Sequence, residues 1–165
     1  MKEALWKLEI LELLENNSRL TEDEIAVMLG RPVEEIRNAI KEYRDLNIIV
    51  GYNTLINWDK VEKDTVTALI ELKVTPQRGE GFDKVAERIY RYPQVKACYL
   101  MSGGFDLMVI VEGRSLKEVS LFVAEKLAPL DSVLSTSTHF VLKKYKDKGM
   151  IFEKKPQDDR EAIVL

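Results

Sequence analysis

The first third of the chain carries short apolar stripes at helical spacing, separated by polar breaks. This pattern predicts three amphipathic helices in succession. Thr21, with Glu24 three residues later, is a capping-box signature and predicts the start of the second helix. Gly30 predicts the end of that helix, and Pro32 suits the first turn of the next one. The three stripes lie within residues 6–14, 25–29 and 33–43.

The second half of the chain changes to alternating apolar and polar positions. Alternation with a period of two predicts four strands, and helical spacing returns twice between them. Ser115 with Glu118 is a second capping-box signature at the start of the later helix. The order strand-helix-strand-strand-helix-strand is typical of a ferredoxin-like βαββαβ domain. The strands are predicted at 66–74, 95–101, 105–111 and 133–142, and the helices at 82–89 and 116–127.

The fold class predicted from these patterns is α+β, with an N-terminal helix-turn-helix that is winged-helix-like and a C-terminal ferredoxin-like domain. Residues 48–56 are rich in β-formers and predict a short hairpin or an extended arm. Residues from Asn57 onward are polar and predict a connector. The predicted organisation is a first domain at 1–52, a linker at 53–64, a second domain at 65–145 and a charged tail at 146–165.

In a ferredoxin-like domain both helices cover the same face of the sheet, and the other face needs a partner. The alternation places apolar residues on that second face as well. Apolar residues on both faces predict dimerisation through the sheet. The residues assigned to the second face are Leu69, Leu100, Met108 and Ile110.

Composition indicates an ordinary globular protein, with 45% hydrophobic and 32% charged residues. No apolar run is long enough for a membrane span, and the start of the chain lacks the apolar core of a signal peptide. Cys98 is the single cysteine, so no internal disulfide can form. These features predict a cytoplasmic protein. Residues 1–60 hold 8 basic and 12 acidic residues, so any DNA binding must come from a local basic stripe.

The outer face of the third helix is the candidate DNA-reading surface. Side chains three and four residues apart share a helix face. We expect Arg37 and Asn38 near base edges, and Arg31, Lys41 and Arg44 near phosphates. Several acidic residues on the same helix favour the alternative of a solvated structural face. The candidate residues are Arg31, Glu34, Arg37, Asn38, Lys41 and Arg44, and the opposing acidic residues include Glu34, Glu35, Glu42 and Asp45.

Residues 102–106, Ser-Gly-Gly-Phe-Asp, form the second candidate motif. The two glycines expose backbone N–H groups that can receive a ligand carboxylate, and Asp106 could pair with an amino group. A plain hairpin turn is the alternative.

The sequence offers little support for a catalytic site. His139 and Cys98 are interpreted as structural, and the ligand spacings of a metal or cofactor site are absent from the sequence. We therefore expect no catalytic residues, no metal and no cofactor.

Several strings resemble the Lrp/AsnC, or feast/famine, family of regulators over about residues 5–145. They are Leu20–Ala26, Ile48–Tyr52, Val95–Asp106 and the threonine-bearing last strand. The resemblance implies a helix-turn-helix joined to a ferredoxin-like effector domain, and dimers that assemble into tetramers or octamers. It also implies an amino-acid effector bound between dimers. The effector contacts it implies are Tyr99, Met101, Ser102, Gly103, Gly104, Phe105, Asp106, Thr136 and Thr138.

Two departures from the family pattern matter. The family hairpin commonly reads Gly-Asp-x-Asp, and here Gly104 replaces the first aspartate, so which ligand is held, if any, stays open. On the third helix, Ala39 stands where family members often carry arginine, and Glu34 and Glu35 stand where they carry small hydroxyl residues. DNA specificity is therefore expected to differ from that of the family's best-known members.

The resulting hypothesis is a transcriptional regulator that binds double-stranded DNA, is not an enzyme and is modulated by an amino acid or a related metabolite. One alternative is a ligand-binding oligomer without DNA binding, which the acidic first domain favours. A second alternative is an enzyme similar to the sirohaem decarboxylases, whose structure resembles this same two-part fold. The single histidine disfavours the enzyme.

Overall fold

The computed structural model describes residues 2–61, 63–76 and 81–153, with residues 2–4 described by their backbone alone. The chain divides into two compact units, Met1–Ile56 and Asn57–Leu165. Among the helices in these ranges, none is long and apolar enough to cross a membrane.

The first unit contains three α-helices: α1 (Lys2–Asn16), α2 (Glu22–Leu29) and α3 (Val33–Asp45). The predicted capping box is confirmed, because the Glu24 amide donates to Thr21 Oγ1 and the Thr21 amide donates to the Glu24 carboxylate. Gly30 ends α2 with φ of 61°, in the left-handed region that favours glycine. The helices pack their apolar stripes into one core. Its buried members are Ile10, Leu14, Ile25, Ala26, Ile36, Ala39 and Ile40.

The segment after α3 forms no β-strand. Of the two structures predicted for it, a short hairpin and an extended arm, the hairpin is therefore absent. The amides of Ile48 and Ile49 both donate to the carbonyl of Tyr43, at 2.8 and 3.1 Å. Asn47, with φ of 55°, turns the chain so that these amides reach the helix end. Because the C-terminal carbonyls of a helix lack intrahelical partners, they compete with a strand for such donors. Residues 50–57 then continue without regular secondary structure.

The second unit contains a four-stranded antiparallel sheet with two helical segments. In chain order it runs β1 (Val66–Val74), α4 (Asp83–Tyr90), β2 (Val95–Leu100), β3 (Leu107–Gly113), α5 (Leu116–Phe122) and β4 (Val133–Phe140). A π-helical turn, Val123–Leu127, continues α5. The spatial order β2-β3-β1-β4 places β1 and β3 in the centre. The predicted ferredoxin-like arrangement is therefore confirmed.

The core of the second unit lies between the sheet and its helices. Alternate residues of β1, from Ala68 to Val74, are buried and face the helices, and those from Ala68 to Leu72 do so together with their partners on β3. Leu116, the first residue of α5, lies outside this core and is 56% exposed. The buried cluster comprises Ala68, Ile70, Leu72, Val74, Val85, Ile89, Leu107, Val109, Val111, Val119, Phe122, Val123, Leu127 and Leu130.

A bulge in β2 changes which residues face the open side of the sheet. Val95 pairs with Val111, but Ala97 pairs with Ile110, so the register shifts between them. One extra residue reverses the facing of everything that follows. Leu100, predicted on the open face, pairs with the buried Leu107 and so lies on the helix side. The open face instead presents Ala97, Tyr99, Met108, Ile110 and Leu69.

Part of the predicted charged tail is structured. β5 (Lys146–Asp147) and β6 (Met150–Ile151) form a small antiparallel hairpin around Gly149, whose φ is 80°. A salt bridge of 2.8 Å joins Lys143 Nζ to Glu153. The Asn57 side-chain amide donates to the Phe152 carbonyl at 3.3 Å. The remainder of the predicted tail, 154–165, lies outside the described residues.

Candidate nucleic-acid interface and ligand hairpin

Helix α3 presents its predicted DNA-reading residues to solvent. Burial of Ile36, Ile40 and Tyr43 fixes the inner face of the helix, and the Tyr43 hydroxyl donates to the Lys7 carbonyl at 2.8 Å. The opposite face must then point outward, since successive side chains are roughly 100° apart. Arg31, just before the helix, is half-buried. The exposed candidates on the helix are Glu34, Arg37, Asn38, Lys41 and Arg44.

One edge of the outward face is acidic, and its charges are paired. Glu35 and Glu42 lie seven residues, two turns, apart on this edge. Glu35 binds the Arg31 guanidinium at 3.1 Å, and Glu42 binds the Lys7 ammonium at 2.7 Å. The hydrogen bond to Glu42 raises the pKa of Lys7 above its usual value. The acidic edge is therefore compensated by cations from outside α3.

Arg31 is held in place by two contacts. Besides its salt bridge to Glu35, its guanidinium lies 4.8 Å from the centroid of the Trp6 ring, a cation–π distance. The two contacts tie Arg31 to α1 and α3. Arg31 lines a shallow groove between these two helices, together with Trp6, Asn38 and Glu42. The sequence did not predict this groove, because its two walls are more than 20 residues apart.

The other edge of the outward face is basic and consists of Arg37, Lys41 and Arg44. Arg37 donates from Nε to Glu22 Oε2 at 2.9 Å and from Nη1 to Glu34 Oε1. The hydrogen bond that Arg37 donates to Glu22, and after it the one to Glu34, raise the pKa of the guanidinium. Lys41 and Arg44 make no ion pair within the described ranges. The sequence missed the Glu22 contact, because Glu22 lies on a different helix.

The second candidate motif closes the β2–β3 hairpin. The Met101 amide donates to the Asp106 carbonyl at 2.8 Å, which defines a loop of residues 101–106. Gly103 has φ of 140°, a conformation that side chains other than glycine rarely adopt. Asp106 fastens the loop to β1: its amide donates to the Leu72 carbonyl at 3.0 Å, and its Oδ2 accepts from the Val74 amide at 2.8 Å. One carboxylate oxygen of Asp106 is therefore engaged within the sheet.

The residues that the resemblance implies as effector contacts do not all meet in one protomer. Met101, Ser102, Gly103 and Gly104 are exposed at the loop, and Phe105 is half-buried. Tyr99 pairs with Met108 on the open face at the β2 edge. By contrast, the half-buried Thr136 and Thr138 pair with Leu72 and Ile70, so they lie on the helix side at the β4 edge. One chain alone thus separates Tyr99 from Thr136 and Thr138 by the width of the two central strands.

The open face of the sheet has an apolar half and a polar half. The polar half follows β4, where Ser135, Ser137 and His139 alternate outward. His139 Nε2 lies 3.3 Å from Glu71 Oε1 and 3.2 Å from Ser137 Oγ. Cys98 faces the helices, and burial raises the pKa of its thiol. Within the described residues, no three His, Cys, Asp or Glu side chains lie together where they could hold a metal ion.

Residues 67–151 match the family described as the Lrp/AsnC ligand binding domain. The chain belongs to the Lrp/AsnC family. An HTH-type transcriptional regulator of Bacillus subtilis, YugG, is 49% identical over 166 residues, covering 100% of this chain and 99% of the relative. The predicted family, and its class of helix-turn-helix transcriptional regulators, are confirmed by this match.

The fold of the chain is similar to that of solved Lrp/AsnC structures. A transcriptional regulator from Neisseria meningitidis, solved in complex with L-Met, superposes with a TM-score of 0.69 and 22% identity, covering 86% of this chain and 91% of that one. Escherichia coli AsnC superposes with a TM-score of 0.64 and 21% identity, covering 84% and 91%. At these identities the likeness establishes the fold alone.

Proposed function

We propose that this Lrp/AsnC chain is a sequence-specific transcriptional regulator that binds double-stranded DNA through the outer face of α3. The observation that carries the proposal is the basic edge of α3, on which Lys41 and Arg44 are exposed and lack ion pairs within the described chain. Arg37 and Asn38 would read base edges, and Lys41, Arg44 and Arg31 would bind phosphates. A dimer would present two such helices to successive major grooves, about 34 Å apart.

A gel-shift titration at several salt concentrations tests the DNA interface. DNA selected from a random pool serves as the operator. The variant Arg37→Ala/Lys41→Ala/Arg44→Ala should bind it at least 100-fold more weakly and with a shallower salt dependence, because phosphate contacts release counterions. The control Arg88→Ala/Lys117→Ala/Lys126→Ala removes the same charge from exposed positions of the second unit and should bind like the wild type. Unchanged binding by the first variant would remove α3 as the DNA interface.

The second part of the proposal is an amino acid or related metabolite bound at the 101–106 loop. The Neisseria meningitidis regulator was solved with L-Met, which supports this ligand class. Because Tyr99 and the threonines Thr136 and Thr138 lie at opposite edges of one sheet, a site containing both groups would use loops from more than one protomer. Exposed backbone N–H groups near Gly103 would receive the ligand carboxylate.

One oxygen of Asp106 already accepts from the Val74 amide, so only part of this carboxylate remains for the ligand ammonium. Gly104 lies in open space, so an aspartate can be introduced there without a clash. Gly104→Asp should therefore tighten amino-acid binding about tenfold, measured by calorimetry with a panel of amino acids. Gly104→Asn is the uncharged control. Equal affinities of both variants for every ligand would argue against an ammonium site at this loop.

We also propose that the chain has no enzymatic activity and acts as a homodimer that assembles further into tetramers or octamers. Its relative is a transcriptional regulator, which supports the first point. The apolar half of the open sheet face supports the second. A ligand-binding oligomer without DNA binding is a second candidate, favoured by the acidic first unit. Absence of any DNA shift by the wild type at low salt would select that candidate.

A further inference from the structure

Arg37 is clamped by carboxylates from two helices. Glu22 stands at the first position of α2, and Glu34 lies one turn before Arg37 on α3. One guanidinium charge is thus matched by two carboxylate charges, so the three side chains together carry −1. Lys41 and Arg44 continue the same edge without such partners among the described residues. The basic edge therefore contains two kinds of cation.

The two carboxylates engage only some of the N–H donors of the Arg37 guanidinium. A guanidinium has five N–H donors, and Glu22 and Glu34 engage Nε and one hydrogen of Nη1. The remaining donors are the second hydrogen of Nη1 and both hydrogens of Nη2. Two parallel N–H groups of an arginine match the O6 and N7 acceptors of guanine in the major groove. The clamp leaves three donors, two of them on Nη2, for the acceptors of a base.

The charge of the cluster discriminates between two possible DNA targets. A phosphate carries a full negative charge, and a cluster of net charge −1 repels it. A guanine edge is neutral and offers two acceptors, so it is not penalised in the same way. Fixing the long side chain beforehand also lowers the rotamer entropy lost on binding.

We propose that Glu22 and Glu34 are specificity-determining residues that position Arg37 to read a guanine and withdraw it from phosphate binding. This inference rests on the proposed DNA-binding function. Lys41 and Arg44, without carboxylate partners in the described chain, supply the phosphate contacts. The acidic residues of the first unit are then part of how the protein discriminates among DNA sequences.

The test compares two charge-matched variants. Glu22→Gln/Glu34→Gln releases Arg37, and the control Glu12→Gln/Glu15→Gln removes two exposed carboxylates of α1 that make no ion pair in the described ranges. Binding is measured to the operator selected by the wild type and to a random duplex of equal length. We expect the clamp variant to bind random DNA at least tenfold tighter, with a salt slope steeper by about one unit. Its operator-to-random ratio should fall at least tenfold.

The control variant should shift both affinities together and keep the ratio within twofold. Equal changes in the ratio for both variants would overturn the proposal, because they would reflect bulk charge. Thermal unfolding checks that the variant Glu22→Gln/Glu34→Gln is folded. If it is unfolded, the same comparison is made with Glu34→Gln alone, which keeps the contact between Arg37 and Glu22. Exposed ion pairs contribute little to stability, so both variants should melt near the wild type.

A chemical probe identifies the base. Replacing each operator guanine in turn by 7-deazaguanine removes its N7 acceptor. For one guanine per half-site, the wild type should lose about tenfold in affinity, whereas Arg37→Ala and the clamp variant should lose much less. Insensitivity of the wild type at every guanine would overturn the proposal while leaving DNA binding intact. A wild type that binds no DNA would instead overturn the proposed function itself.

Discussion

At the scale of single residues, Asp106 holds the 101–106 loop against β1 by hydrogen bonds and is also a candidate ligand contact. Its amide and its carboxylate both bond to the end of β1, at Leu72 and Val74. The loop that carries the candidate effector contacts is therefore attached to a strand at the centre of the sheet. Removing the carboxylate leaves the Val74 amide without its acceptor.

We expect Asp106→Ala to lower the free energy of unfolding by about 1–3 kcal/mol, the cost of leaving a partly buried donor unpaired. Asp106→Asn keeps an acceptor oxygen and should cost less than half of this. Urea unfolding measures both, with the exposed Asp131→Ala as control. Equal stability of the alanine variant and the wild type would show that the bond to Val74 contributes nothing.

The residue scale is also where sequence reasoning reached its limit. Exposure of Arg37, Lys41 and Arg44 followed from the helical period, because the apolar stripe defines the inner face. The partners of Arg37 and Arg31 did not, since Glu22 and Trp6 come from other helices and depend on how the helices pack. Local spacing contains no information about such contacts.

At the scale of elements, both ends of α2 lie where the sequence predicted them, at the Thr21 capping box and at Gly30. The elements predicted from strong period and caps are present, from α1 to α3 and from β1 to β4. The apolar pattern did not decide the structure where other hydrogen bonds determine it. Of the two structures predicted after α3, the hairpin is absent because the Tyr43 carbonyl accepts from the amides of Ile48 and Ile49. A bulge before Ala97 moves Leu100, predicted on the open face, to the helix side. The site assignments of individual residues stay predictions.

Gly30 and Gly104 form a matched pair for testing backbone conformation. Both would place an added Cβ in open space, but only Gly30 has positive φ, at 61°. Gly30→Ala should cost about 1 kcal/mol of stability, because an L-residue is strained in the left-handed region. Gly104→Ala should stay within about 0.5 kcal/mol of the wild type. Thermal unfolding compares the two, and equal costs would contradict a conformational origin.

The capping box gives α2 a defined pH dependence. Hydrogen bonds from the Thr21 amide and hydroxyl lower the pKa of Glu24 below its usual value of 4.5. A carboxyl with a lowered folded-state pKa stabilises the fold above its unfolded value, and this contribution is lost as pH falls through the folded-state pKa. The stability advantage of the wild type over Glu24→Gln should therefore be complete above about pH 5 and disappear in stronger acid.

Unfolding titrations between pH 2 and 7 measure this advantage. Thr21→Ser, which keeps the amide and a hydroxyl, should retain the wild-type profile. A wild-type advantage that persisted unchanged at pH 2 would contradict assignment of the effect to the ionised Glu24 carboxylate.

At the scale of the whole molecule, the open sheet face determines the proposed assembly. We expect Ile110→Glu to convert the dimer to a monomer at micromolar concentration, because a charge would have to be buried among Leu69, Met108 and Tyr99. Leu116→Glu, on the exposed start of α5, is the matched control and should remain dimeric. Sedimentation velocity distinguishes them, and a dimeric Ile110→Glu would place the interface elsewhere.

The central position of β1 has a consequence for how the protein is made. β1 needs β3 on one side and β4 on the other, so its pairing is complete only once residues 133–140 have left the ribosome. The three-helix unit needs only the first 56 residues. Domains generally fold as units in the order of synthesis, and local contacts form faster than distant ones. A nascent chain therefore carries a finished α3 while its central strand still lacks a neighbour, and this interval is when chaperones would have most to protect.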